Sequence, residues 1–306
     1  RSARSQTVAL IVIRCGSDVS LELPAEATLL DVSAVPTRKE LRALDDAAAI
    51  ALPHDPTPTL DEIAAQPDVR HLDTPELAPQ APHLKDPLRV VVVGTDAALS
   101  AVLTRMMRSD YLWAELGFVP VEESTVARNW GLPTDFESAL SVALSAPVRP
   151  APLIRNDAGL AIAGSASVSE WSNGEITGEI IVDDHVVVRH EATNTTGIGT
   201  YGARLVPMVD APGILAAKAV SPVAASASFG LAADTAKPSG FGAWLRSKFS
   251  SPAAPGQLDE DTVCTGRAVQ AGGPELRVVV DGVSAKRPVN RVTFYRHLRD
   301  LQVVRP

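Results

Sequence analysis

The sequence predicts an α/β N-terminal domain followed by a β-sandwich domain, and three observations carry that prediction. Leu88-Arg89-Val90-Val91-Val92-Val93-Gly94 is a nearly unbroken apolar run ending in glycine, as expected of a strand buried on both faces of a parallel sheet. Directly after it, Ala97, Ala98, Ala101, Val102, Leu103 and Met106 recur at helical spacing, so the strand feeds a helix. From Pro147 the texture changes to short alternating segments punctuated by Gly, Asn and Asp, which is how hairpins read. The 306 residues suit two domains, 1–145 for the α/β unit and 146–306 for the sandwich, with the last strand able to return to the first.

The first domain follows in order. Residues 7–13 are β-branched and apolar throughout and predict a strand. Gly16 makes the turn after it, and Arg14 is a solvated strand-end residue or one that meets an anion. Residues 28–32 predict a second short strand. Residues 38–52 predict a helix with Leu41, Leu44, Ala47, Ala48 and Ile50 on one face, broken by Pro53-His54-Asp55-Pro56. A short helix over 60–65 starts after Thr59. Residues 67–87 hold five prolines and predict a long surface connection. The helix after the valine run starts near Asp96, whose carboxylate is placed to cap its free N–H groups. A strand over 116–120 and a helix over 135–144, with Phe136, Leu140 and Leu144 on one side, complete the domain.

In the second domain, strands are predicted over 160–168, 175–182, 186–189, 204–207, 262–269, 276–280 and 289–295. Asn173-Gly174, Asp183-Asp184 and Asp281-Gly282 read as tight turns. Residues 221–258 are rich in Ala, Ser and Pro around a short aromatic and cationic helix over 241–249. That helix packs on the sandwich or makes peripheral membrane contact through Trp244.

Composition limits the function classes. Hydrophobic residues make up 45% and charged residues 21%, enough apolar material for full cores. A net charge of −8 argues against nucleic acid as the partner. There is no apolar run long enough to span a membrane and no signal-peptide pattern at the first residues, so the expected location is cytoplasmic. Cys15 and Cys264 have no metal-ligand spacing, and His54, His71 and His83 sit in or beside loops without it.

The order of motifs resembles the diacylglycerol kinase catalytic domain, shared with other lipid kinases and akin to the NAD kinases. In that family a buried strand runs into a Gly-Gly-Asp-Gly-Thr turn and a helix; here Gly94-Thr95-Asp96-Ala97-Ala98 stands there. Pro120, Ala127-Arg128 and Gly131-Leu132-Pro133 keep the frame of the second block. Asn194, Gly197-Ile198-Gly199 and Asp210-Ala211-Pro212-Gly213-Ile214-Leu215 resemble the sandwich motifs, and Asp281-Gly282 and residues 298–306 resemble the closing strands. The resemblance implies nucleotide contacts at Gly94, Thr95, Asp96, Ser124, Thr125 and Arg128, and catalytic acids at Asp96 and Asp210. The departures are as informative. Thr95 and Ala97 replace two family glycines, Ala98 replaces the hydroxyl, and Glu122-Glu123 stand where the second phosphate loop belongs. These departures imply a catalytically degenerate relative acting as a binding or scaffolding protein, with a lipid or protein partner and an oligomer both open. The alternative is an active ATP-dependent lipid kinase with divergent motifs, for which ATP and Mg²⁺ would be the cofactors.

Overall fold

The computed structural model describes residues 9–69, 72–192, 199–223 and 256–306. Its first sheet contains β1 (Ala9–Cys15), β2 (Thr28–Val32), β3 (Leu88–Gly94), β4 (Glu115–Pro120), β5 (Val148–Ala151) and β17 (Leu301–Val304). Their spatial order is β2-β1-β3-β4-β17-β5. All run parallel except β5, which is antiparallel to β17. The sheet thus takes two strands from beyond residue 145, one of them the chain's last.

The valine run is the centre of this sheet, between β1 and β4. Val90 and Val92 enter a core with Leu99, Leu103 and Phe118, while Val91 and Val93 enter a second core with Leu140 and Ala143. Both faces are covered, so the run is apolar without alternation. The helices are α1 (Arg42–Ala51), α2 (Leu60–Ala64), α3 (Asp96–Arg108), α4 (Thr125–Trp130) and α5 (Phe136–Ser145). Thr59 and Glu62 form a reciprocal capping box at α2, and Asp135 caps α5 through the Ser138 N–H at 2.8 Å.

One expectation changes here. The helix predicted from residue 38 starts at Arg42, because Glu40 spends its carboxylate on the N–H groups of Ser33 and Thr37 and holds the preceding turn. The proline-rich connection lies mostly at the surface, as predicted, and is in addition pinned by hydrogen bonds. Glu76 and Ala78 donate N–H bonds to Asp300 and Gln302, and the buried Gln80 donates its side-chain amide to Asp55 and Thr57. Backbone N–H groups between prolines need acceptors, and the side chains of Gln302 on the last strand and of Asp300 just before it supply them.

The rest of the described chain forms an eleven-stranded network joined by antiparallel pairs. Its members are β6 (Ile154–Asn156), β7 (Ala161–Ile162), β8 (Ala166–Glu170), β9 (Gly178–Val182), β10 (His185–His190), β11 (Gly202–Pro207), β12 (Ile214–Ala219), β13 (Cys264–Gly266), β14 (Ala268–Val280), β15 (Val283–Ser284) and β16 (Val289–Arg296). The long β14 is its spine. One half of β14 pairs with β9 and β16 and the other with β8 and β15, with a register shift between Gly272 and Leu276. Asp183-Asp184 closes the β9–β10 hairpin, with Asp183 at φ 51°. Asn173 also has positive φ, but its turn links β8 to β9, which lie one after the other along β14 instead of pairing together. The strand predicted over 160–168 is split into β7 and β8 by residues 163–165. Residues 241–249 with Trp244, like Asn194 and Gly197, lie outside the described residues. Among the described residues no helix is long and apolar enough to cross a membrane.

Candidate functional site

The site is built on the end of β3. A Cβ at Gly94 would lie 2.9 Å from the Cys15 Cβ and 3.1 Å from the Ala98 Cβ, so glycine lets the chain turn between β1 and α3. Thr95 is extended and caps α3: its hydroxyl accepts the Ala98 N–H at 3.2 Å. That corrects the expectation that Asp96 caps its own helix. With Thr95 in that role, the Asp96 carboxylate crosses to the start of α4. It accepts the Ser124 hydroxyl at 2.5 Å and the N–H groups of Thr125 and Val126 at 2.9 and 3.4 Å. Ser124 is therefore shared: it donates to Asp96 and accepts the Ala127 N–H at 2.9 Å as the cap of α4.

A second carboxylate reaches the same seam from the other sheet. Asp281, at φ 47° in the Asp281-Gly282 turn between β14 and β15, accepts N–H bonds from Ala163, Gly164 and Ser165 at 2.7–2.9 Å. Its own N–H returns to the Ser165 carbonyl. This docking is why the predicted strand breaks between β7 and β8: residues 163–165 turn their N–H groups to a carboxylate instead of a neighbouring strand. Gly164 fits between the two acids, since a Cβ there would lie 2.7 Å from the Asp96 Oδ2. Burial pushes the Asp281 carboxyl up to about 7; its three N–H bonds oppose that rise and the nearby Asp96 charge adds to it.

Two arginines and two glutamates surround the pair. Arg204 on β11 approaches the hydroxyls of Ser165 at 3.3 Å and Thr125 at 3.5 Å. Burial, then the Arg128 charge, holds its guanidinium below the usual range, while Asp281 and Asp96 oppose that. Arg128 pairs with Glu123 at 3.2 Å, with both side chains largely exposed. Burial, then Asp96, raises the Glu122 carboxyl.

The predicted residues divide accordingly. Gly94, Thr95, Asp96, Ser124 and Thr125 converge, and Arg128 lies one turn along α4. Asp210 is exposed in the loop between β11 and β12, where its charge acts on Arg305; among the described residues no hydrogen bond or ion pair joins it to the Asp96 cluster. Arg14 is tied to Asp31 at 2.6 Å. Asp281, read from sequence only as a turn residue, is the member that was missed. Its signal was an acidic residue closing a long apolar strand, where Asp tolerates positive φ. Among the described residues no group of three His, Cys, Asp or Glu side chains is placed to hold a metal ion.

No protein-family model and no curated protein matches the chain. Solved structures do. A diacylglycerol kinase from Bacillus anthracis str. Sterne superposes with a TM-score of 0.52 at 8% identity, covering 97% of each chain. An NAD kinase from Archaeoglobus fulgidus in complex with ATP gives a TM-score of 0.40 at 12% identity, over 96% of this chain and 93% of that one, too distant to carry an argument. The chain thus shares the two-part fold of the diacylglycerol kinases, an α/β unit with a large antiparallel sheet, and the likeness is one of fold.

Proposed function

We infer that the chain is a lipid-kinase-like protein that has lost phosphoryl transfer and acts by binding or scaffolding. The observation that supports this is what Asp96 does. Its carboxylate takes the Ser124 hydroxyl and the first N–H groups of α4, so those donors are spent on an anion of the chain itself. ATP with Mg²⁺ does not fit the residues present. A phosphate at that turn would have to displace Asp96, with the exposed Glu122 and Glu123 carboxyl groups directly before Ser124. A carboxylate about 4 Å from a phosphate charge costs roughly 1 kcal/mol at water-like screening and about 4 kcal/mol at an effective dielectric of 20. Thr95 and Ala97 add side chains where close approach of backbone to phosphate favours glycine.

This reading also takes the eleven-stranded network as a sandwich folded near Gly272. Its support is that Val168 and Leu205 on one arm share a single core with Val182, Val269 and Phe294 on the other.

The test is calorimetric titration of ATP–Mg²⁺ into the wild type and into a Glu122→Gly, Glu123→Thr double variant. The wild type is expected to bind more weakly than about 1 mM, equivalent to about 4 kcal/mol, and the double variant to gain affinity. Low-micromolar binding by the wild type, with turnover of diacylglycerol, would replace this reading with an active kinase using Asp96 and Asp210.

A further inference from the structure

A cleft of about 560 Å³ opens beside α3, with no residue of α4 in its lining, a size ordinary for a small-ligand site. One wall is α3, with Ala97, Ala101 and Thr104; the other is the antiparallel network, with Val278, Val280 and Val292. Val35, Leu160 and Val283, three of the ten exposed large hydrophobics among the described residues, also line it. Apolar side chains gathered around one concavity indicate an apolar ligand more than scattered ones do.

The polar groups of the cleft are already engaged. The Ser100 hydroxyl donates to the Ala161 carbonyl, the Thr104 hydroxyl accepts the Ala161 N–H, and the Asn156 side chain accepts the Leu160 N–H. The rest of the lining is hydrocarbon with four guanidinium groups, Arg38, Arg105, Arg108 and Arg291, two of them engaged elsewhere, against one lining carboxylate, Asp157. Arg105 is held by Asp45, and Arg108 by the carbonyls of Ala158 and Gly159. Arg38 and Arg291 are exposed, and among the described residues no ion pair engages either. This concentration of positive charge stands out on a chain of net charge −8. No aromatic ring is among the lining residues, so a nucleotide base would have nothing to stack on.

We propose that the cleft binds a single-chain anionic amphiphile, its alkyl tail between α3 and the valines and its head among the arginines. The proposal deepens the binding reading above and rests on it. Alkyl phosphates and fatty carboxylates share this chemistry.

The test is calorimetric titration of the full chain with decyl phosphate, octyl phosphate, decanoate and decanol, each below its micellar concentration. One saturable site is expected. Each methylene should change affinity about fourfold, so octyl phosphate should bind roughly 15-fold more weakly than decyl phosphate. Decanol should bind about tenfold or more weakly, because it offers the arginines no charge. An Arg38→Glu, Arg291→Glu double variant, altering exposed side chains and checked for an unchanged melting temperature, should reduce decyl phosphate to the affinity of decanol. Equal binding of decanoate and decyl phosphate would assign a general anionic head; tighter binding of the phosphate would assign a phosphate monoester.

Absence of saturable binding overturns the proposal, as does binding indifferent to chain length and to the arginines, or one-for-one displacement of decyl phosphate by ATP. An assay of diacylglycerol phosphorylation separates the two readings. Transfer alongside amphiphile binding defeats only the loss of kinase activity; neither transfer nor amphiphile binding defeats only the amphiphile site.

Discussion

The β3–α3 turn and the β14–β15 turn each deliver a carboxylate to the seam around Gly164, and the fold handles the two differently. Asp96 leaves the start of a helix, stays within partial reach of solvent, and accepts one hydroxyl and two N–H groups from the start of α4. Asp281 leaves a hairpin turn, is 8% exposed, and accepts three N–H groups. The number of hydrogen bonds is similar; burial differs. At Asp281 desolvation outweighs the three N–H bonds and raises the carboxyl.

Removing each acid tests that contrast. Asp281→Ala leaves three buried N–H groups without an acceptor. At pH 5, where the acid is largely protonated in the fold, the loss should be about 3–5 kcal/mol by urea unfolding, because each unsatisfied buried donor costs about 1–3 kcal/mol.

The pH dependence sharpens it. A carboxyl raised to about 7 in the fold, above its ordinary value when unfolded, binds more protons in the native state across that interval. Stability therefore falls as pH rises from about 4 to 7, by up to roughly 4 kcal/mol for a shift of about three units. Denaturation of wild type and Asp281→Asn at pH 4, 5.5 and 7 should show the slope in the wild type alone; parallel curves would remove burial as the difference between the acids.

Asp96→Ala should cost less, about 1–2 kcal/mol by the same method, since Asp96 is only half-buried and the Ser124 hydroxyl still accepts the Ala127 N–H as the cap of the helix. A loss as large as that of Asp281→Ala would mean that Asp96 carries the seam. The smallest effect is expected at Arg128→Ala, under about 0.5 kcal/mol, because its pair with Glu123 is exposed and screened; its loss should shrink further in 1 M salt.

Much of this arrangement was legible in local sequence. The valine run, the glycine ending it and the helical stripe after it place β3, the turn and α3, whereas α4 behind Ser124 was not read from the sequence. The exchange of caps was not legible. Thr95 and Asp96 are adjacent and both suit an N-cap, so only the direction each side chain takes in the packed domain assigns one to α3 and the other to α4. Asp210 illustrates the opposite limit: its motif was readable, but among the described residues no hydrogen bond or ion pair joins it to the Asp96 cluster.

The sequence by itself determined the parallel sheet, the helix after the valine run, the hairpin at Asp183-Asp184 and the change to antiparallel structure, because these depend on neighbours within a few residues and on which faces must be dry. Tertiary structure alone decided that residues 163–165 break a strand to serve Asp281, that Asp96 and Asp281 meet across Gly164, and that an apolar cleft with an arginine rim forms between α3 and β14. Those features join segments far apart in the chain. Hydrogen bonding and desolvation at such junctions depend on what packs against them, and periodicity carries no record of that.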